Sequence, residues 1–141
     1  MRTLLGPKVE VRIPRKPEYV SVVRMAVGAV ASKMDFGFDV LDDIKLAVAE
    51  ACNNAIEHAV VPEGHPNEIT ITCCLEQHQL VVIVCDPGVH PPPEKPAAQQ
   101  APDDLPESGY GLLLIQALMD ELTWEPGPSG TTVRMVKRLA R

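Results

Sequence analysis

Apolar and charged residues alternate from Val9 to Ile13, the pattern of a half-exposed strand. Pro17-Glu18 then opens a stretch with apolar residues at Val20, Val23, Val27 and Val30/Ala31, which predicts a helix ending near Met34. A turn at Asp35–Phe38 leads to a second helix over about Asp39–Val60. Its buried stripe is Leu41, Ile44, Val48, Ala51/Cys52, Ala55 and Ala59. Pro62, Gly64 and Pro66 break it. Glu68–Leu75 and Gln79–Cys85 are β-branched runs joined by a short polar turn, and so predict a hairpin. Leu80–Cys85 is apolar throughout, as a central strand is. Residues 89–107 hold six prolines and no periodicity, and read as a mobile loop of the length that functional lids or disordered segments have. A third helix is expected over about Tyr110–Met119, then strands at Glu121–Glu125 and Thr131–Leu139.

Helices and strands are interleaved, yet the hairpin forbids an all-parallel sheet. The pattern predicts one domain, residues 1–141, built as a two-layer α/β sandwich: a mixed sheet with helices on one face. The long loop falls between a central strand and a helix N-terminus, which is where a ligand is expected.

With 45% hydrophobic residues and 23% charged, the 141-residue chain can bury a core without crosslinks. Aromatics are only 4%, so that core must be aliphatic. The net charge of −6 argues against general nucleic-acid binding. The charge is uneven. Residues 1–37 carry seven basic and three acidic side chains, residues 38–130 carry two basic and sixteen acidic, and residues 131–141 carry four basic. Cys52, Cys73, Cys74 and Cys85 lie among apolar neighbours without a C-x-x-C spacing, and read as buried free thiols of a reducing compartment. No apolar stretch has the length of a signal or a membrane span, so a cytoplasmic protein is expected.

Four short motifs carry chemistry. Glu50, Asn54 and His58 recur every fourth residue on the second helix and share one face, flanked by alanines that leave room for a ligand. An amide oxygen suits magnesium, which takes few protein ligands beside phosphate and water, and a carboxylate one turn away can take a hydroxyl proton. Asp86-Pro87-Gly88 ends the central strand with a carboxylate that can accept an N–H from an exocyclic amine and a glycine over which a flat ring can lie. Ser108-Gly109-Tyr110-Gly111-Leu112 opens the third helix with N–H groups suited to an anion. Neither a Walker loop nor a dinucleotide fingerprint is present. Gly130-Thr131-Thr132 begins the last strand and can bring the Thr131 hydroxyl near the end of the Asp86 strand. Singly, each motif fits a blander alternative: a solvated polar stripe, a turn aspartate, a lone G-x-G, a β-branched strand start.

Together, in the order E-x-x-x-N, D-x-G, G-x-G, G-T, they resemble the four boxes of the GHKL ATPase superfamily and its Bergerat fold. Within it the chain is similar to the anti-sigma-factor serine kinases of the RsbW type. The stretches Pro17–Ala59, including Val30-Ala31-Ser32-Lys33-Met34 and Ala49-Glu50-Ala51-Cys52, and Leu118-Met119-Asp120-Glu121 are particularly close. The resemblance implies Mg-ATP as phosphoryl donor, Glu50 as general base and Asn54 as the magnesium ligand. It implies Asp86 reading the adenine amine above Gly88, Gly109 and Gly111 cradling phosphates, and Thr131 supporting the adenine site. His58, Ser108 and Leu112 complete the expected nucleotide-binding set. Arg24 matches an arginine with which a related member docks its sigma factor. The implied partners are a sigma factor, an anti-anti-sigma protein of the STAS type bearing the acceptor serine, and a second copy of the chain in a homodimer.

Two positions depart from this pattern. Glu107 stands where some relatives carry an arginine near the triphosphate, and Lys95 is the only basic residue of the lid. A second functional class is a binding module in which nucleotide gates the sigma factor without phosphoryl transfer. Glu50 favours the enzyme, since a pure binder has no use for a carboxylate beside the metal ligand. The ATPase half of a histidine kinase is disfavoured, because no phosphoacceptor helix pair precedes the domain.

Overall fold

The computed structural model describes residues 4–58, 64, 66–88, 107–127 and 130–140, with the side chains of residues 58 and 107–110 outside that description. In chain order the elements are β1 (Lys8–Pro14), a 3-10 turn (Pro17–Tyr19), α1 (Val20–Ala31), α2 (Phe38–His58), β2 (Glu68–Leu75), β3 (Gln79–Asp86), α3 (Glu107–Leu118), β4 (Glu121–Gly127) and β5 (Gly130–Arg138). The first helix thus begins as a tight turn, with Pro17 supplying the backbone angle of a helix start, and becomes α-helical only at Val20.

Five strands form one sheet in the order β1-β2-β3-β5-β4. The two-layer sandwich is as the sequence predicts, but the sheet is not mixed: every pairing is antiparallel. Two helices join β1 to β2, so the chain crosses the helical layer twice and re-enters the sheet in the opposite direction. One helix joins β3 to β4, which therefore point the same way, but β5 lies between them and is antiparallel to both. The single-helix crossover suggests a parallel pair. The inserted last strand removes it.

The helix-facing side of the sheet presents Ile69, Ile71, Cys73, Leu80, Val82, Val84, Val133 and Met135, all buried. Onto it pack Val23, Val27 and Val30 of α1, Ile44, Val48 and Cys52 of α2 and Ile115 of α3. The predicted stripe of α1 is buried, and so is that of α2 from Ile44 to Ala55, with Leu41 partly buried and Ala59 and the predicted helix end at Val60 outside the described residues. The central place of β3 explains its unbroken apolar run. Val81 faces the other side, where it packs with Cys74 and Val136, and Leu4 and Ile83 lie against them. The four thiols are free, with three buried and Cys85 partly exposed. Among the described residues no helix is long and apolar enough to cross a membrane.

Candidate nucleotide site

Helix α2 lies between α1 and α3 and against β3, so one of its faces is buried and another meets α3. Glu50 and Asn54 fall on the α3 side. They are one turn apart because a helix returns to the same direction about every 3.6 residues. Opposite them is Gly111. A Cβ on its backbone would lie 3.1 Å from Asn54 Oδ1, 3.3 Å from Asn54 Nδ2 and 3.3 Å from Glu50 Oε2. The carboxylate and the amide thus meet bare backbone in the first turns of α3. Both are partly exposed, so a ligand can reach them. Helix N-termini leave four N–H groups without intrahelical partners, and here that end of α3 lies just ahead of Gly111.

The second half of the site is at the end of β3. Alternation along the strand turns Asp86 to the same side as Val82 and Val84, toward the helices, and its strand partner is Thr131. Both polar residues are buried. Asp86 Oδ1 accepts a hydrogen bond from the Gly88 N–H at 2.8 Å, and the Thr131 hydroxyl donates to the Gly88 carbonyl at 3.3 Å. Gly88 is therefore held from both sides and is itself buried. Gly130 supports this arrangement. Its φ of 154° is in the range that favours glycine, and a Cβ there would come within 2.3 Å of the Asp86 carbonyl oxygen. Only a residue without a side chain lets β5 come this close to the end of β3.

Of the positions singled out from sequence, the structure brings Glu50, Asn54 and Gly111 together, and separately Asp86, Gly88 and Thr131. Leu112 packs against the main core from α3. The side chains of His58 and Ser108 and the lid at 89–106 lie outside the described residues. Gly109 and Glu107 are placed by backbone only, in the first turn of α3. Arg24 is exposed on α1, with Val23 and Val27 beside it in the core. Gly130 stands out in the sequence only as the start of the last strand, since its need for a bare Cα depends on the pairing of β3 with β5, and no local pattern marks Arg15, whose partners are 40 and more residues away.

Among the described residues no cluster of three or more His, Cys, Asp or Glu could hold a metal. The donors that do converge are one amide oxygen and one carboxylate. That set fits a magnesium ion, which is bound by one or two protein oxygens together with phosphate and water, and not a protein-only cage.

The model of the histidine kinase-like ATPase domain matches residues 13–137. The serine-protein kinase RsbW of Bacillus licheniformis is 36% identical over 140 residues, covering 94% of this chain and 86% of that protein. The RsbW of Bacillus subtilis is 37% identical over 138 residues, 93% of this chain and 85% of its own. Among solved structures, that of the RsbU and RsbW domains of Rv1364c from Mycobacterium tuberculosis superposes with a TM-score of 0.72 at 20% identity, over 96% of this chain and 33% of that one. The histidine kinase domain of an Erythrobacter litoralis blue-light activated kinase superposes at 0.55 and 21% identity, over 90% and 62%. These two structures establish the fold alone. On the family model and the curated relatives, the chain belongs to the histidine kinase-like ATPase domain family, and within it to the serine-protein kinases of the RsbW type.

Proposed function

We propose that the chain binds Mg-ATP between α2, α3 and the end of β3, and transfers the γ-phosphoryl group to a serine of an anti-anti-sigma protein of the STAS type. The observation that carries this reading is the apposition of Glu50 and Asn54 to the glycine backbone of α3. It joins a proton acceptor, a hard oxygen donor and an anion-binding helix end. Asp86 would accept an N–H from the adenine amine, with Gly88 beneath the ring and Thr131 behind it. The α3 N-terminus, with Gly109 and Gly111, would face the phosphates. His58, Ser108 and Leu112 would complete the nucleotide contacts.

When bound, magnesium supplies charge neutralisation to the phosphates, and Asn54 is the residue that would hold it. The acceptor serine oxygen attacks the γ-phosphorus as its proton passes to Glu50. The bond from the γ-phosphorus to the bridging oxygen breaks, and ADP leaves with that electron pair. Phosphoryl transfer gains mostly from positioning and electrostatics, so holding Glu50 beside Asn54 on one rigid helix is the protein's main contribution.

By the same reading the protein, as a cytoplasmic homodimer, sequesters a sigma factor when its antagonist is phosphorylated, and Arg24 takes part in that contact. Incubation with labelled ATP and the STAS-domain protein encoded nearby tests the proposal. Phosphoserine on that protein is the expected product. Tight nucleotide binding with no transfer would instead establish a nucleotide-gated binding module.

A further inference from the structure

Arg15 joins three parts of the fold. Its backbone N–H donates to the Asn67 carbonyl at 3.0 Å, and its Nε donates to Asn67 Oδ1 at 2.7 Å. One terminal nitrogen donates to the Ile56 carbonyl at 2.7 Å and to that of Ala55 at 3.5 Å. Ala55 and Ile56 belong to the last described turn of α2. Asn54 is the residue immediately before them. A guanidinium offers several N–H groups in a fixed plane, so one side chain can bind this helix end and the start of β2 at once. Its charge also opposes the negative end of the helix dipole.

A second cation makes a comparable contact elsewhere. Lys137 Nζ donates to the Leu118 carbonyl at 2.7 Å, at the C-terminal end of α3. The two ends differ in one respect. Asn54 is in the turn of α2 that Arg15 holds, whereas Gly111 is near the opposite end of α3 from Lys137. Helix ends without such contacts open locally at low free-energy cost, and loosening the last turn of α2 would move the Asn54 amide away from the place set by Gly111.

We infer that Arg15 is a positioning residue for the magnesium site: by holding the last turn of α2 to Asn67, it sets where the Asn54 oxygen stands. The inference rests on the proposed role of Asn54. It concerns affinity gained through the metal rather than stability of the fold, and Lys137 is the internal control, since losing it weakens a helix end remote from Asn54.

The test is calorimetric ATP binding with Mg²⁺ and with EDTA, on the full chain, for wild type, Arg15→Ala, Arg15→Lys, Lys137→Met and Asn54→Ala, with melting temperatures recorded for each. Arg15→Ala should lower the ratio of the two affinities about tenfold, and Arg15→Lys should fall between it and wild type because an ammonium cannot reproduce the planar fork. Lys137→Met should melt earlier with its ratio unchanged. A wild-type ratio in Arg15→Ala, or in Arg15→Lys should the alanine variant not fold, overturns the inference, while Asn54→Ala without metal-assisted affinity leaves the site reading standing. A wild-type ratio in Asn54→Ala itself overturns the site reading and the inference with it.

Discussion

Gly111 of α3 lies so close to Asn54 of α2 that a methyl group on its Cα would sit 3.1 Å from Oδ1, with Glu50 Oε2 at 3.3 Å. Glycine within a helix costs roughly 1 kcal/mol relative to alanine, so Gly111→Ala should hold or raise the melting temperature. The added methyl must push the amide or the carboxylate aside by a few tenths of an ångström. ATP affinity should then fall by about tenfold, or ~1.4 kcal/mol. Thermal melts beside calorimetry with Mg-ATP separate the two effects. A lower melting temperature with undiminished affinity would make the contact mere packing.

Glu50→Gln keeps the size and most of the polarity of the side chain but cannot take a proton. Nucleotide affinity should be retained and phosphoryl transfer slowed by roughly 10²–10⁴. Single-turnover measurement with ATP already bound reads the chemical step. A wild-type rate would remove Glu50 from the reaction.

Asp86→Asn introduces an N–H₂ beside the base's own amine and weakens an acceptor that also holds the Gly88 N–H. A buried donor left unpaired costs roughly 1–3 kcal/mol. The preference for ATP over GTP should shrink accordingly in competition binding. Unchanged discrimination would reduce Asp86 to a residue that shapes its own turn.

Arg24 is exposed, and among the described residues it has no hydrogen bond or ion pair, while the valines on either side of it in the helix are buried. A guanidinium on a rigid helix can pair bidentately with a partner's carboxylate. Arg24→Ala should cost at least about 2 kcal/mol of sigma-factor affinity and leave ATP binding as it was. Titration with the cognate sigma factor and, separately, with Mg-ATP checks both halves. Loss of both ligands together would contradict a role confined to the partner contact.

Burial raises the Cys52 thiol from 9.0 to about 12 and the Cys73 thiol to about 11. The folded state therefore holds these protons more tightly than the unfolded chain. Their contribution to stability is complete below pH 9.0 and is lost as pH climbs toward those values. Urea midpoints should be insensitive to these groups up to that pH and decline above it. In the native protein near pH 8, iodoacetamide should modify the partly exposed Cys85 well before the buried thiols. Equal labelling of all four would show that the core opens readily.

The α2 row was legible because Glu50 and Asn54 are one turn apart on a helix announced by its own apolar stripe. Spacing along a regular element is a local property, and sequence contains it directly. The stripes of α1 and α2, the β2–β3 hairpin and the central place of β3 were readable for the same reason. Which element faces that row is a long-range matter. Nothing near Gly111 states that its backbone meets Asn54, and nothing near Arg15 points to Ile56 or Asn67.

Periodicity and motif order are written in consecutive residues, and they were enough to give the elements, the interior faces of α1, α2 and β3, and the family. The rest came from the way the chain packs. It placed β5 between β3 and β4, which made the sheet antiparallel throughout and brought Thr131 opposite Asp86. It joined Gly88 to both of them, and it brought Arg15 to the end of α2. Strand order and helix-end contacts depend on how the whole core closes, and hydrophobic burial, which closes it, follows total area removed from water and not position along the chain.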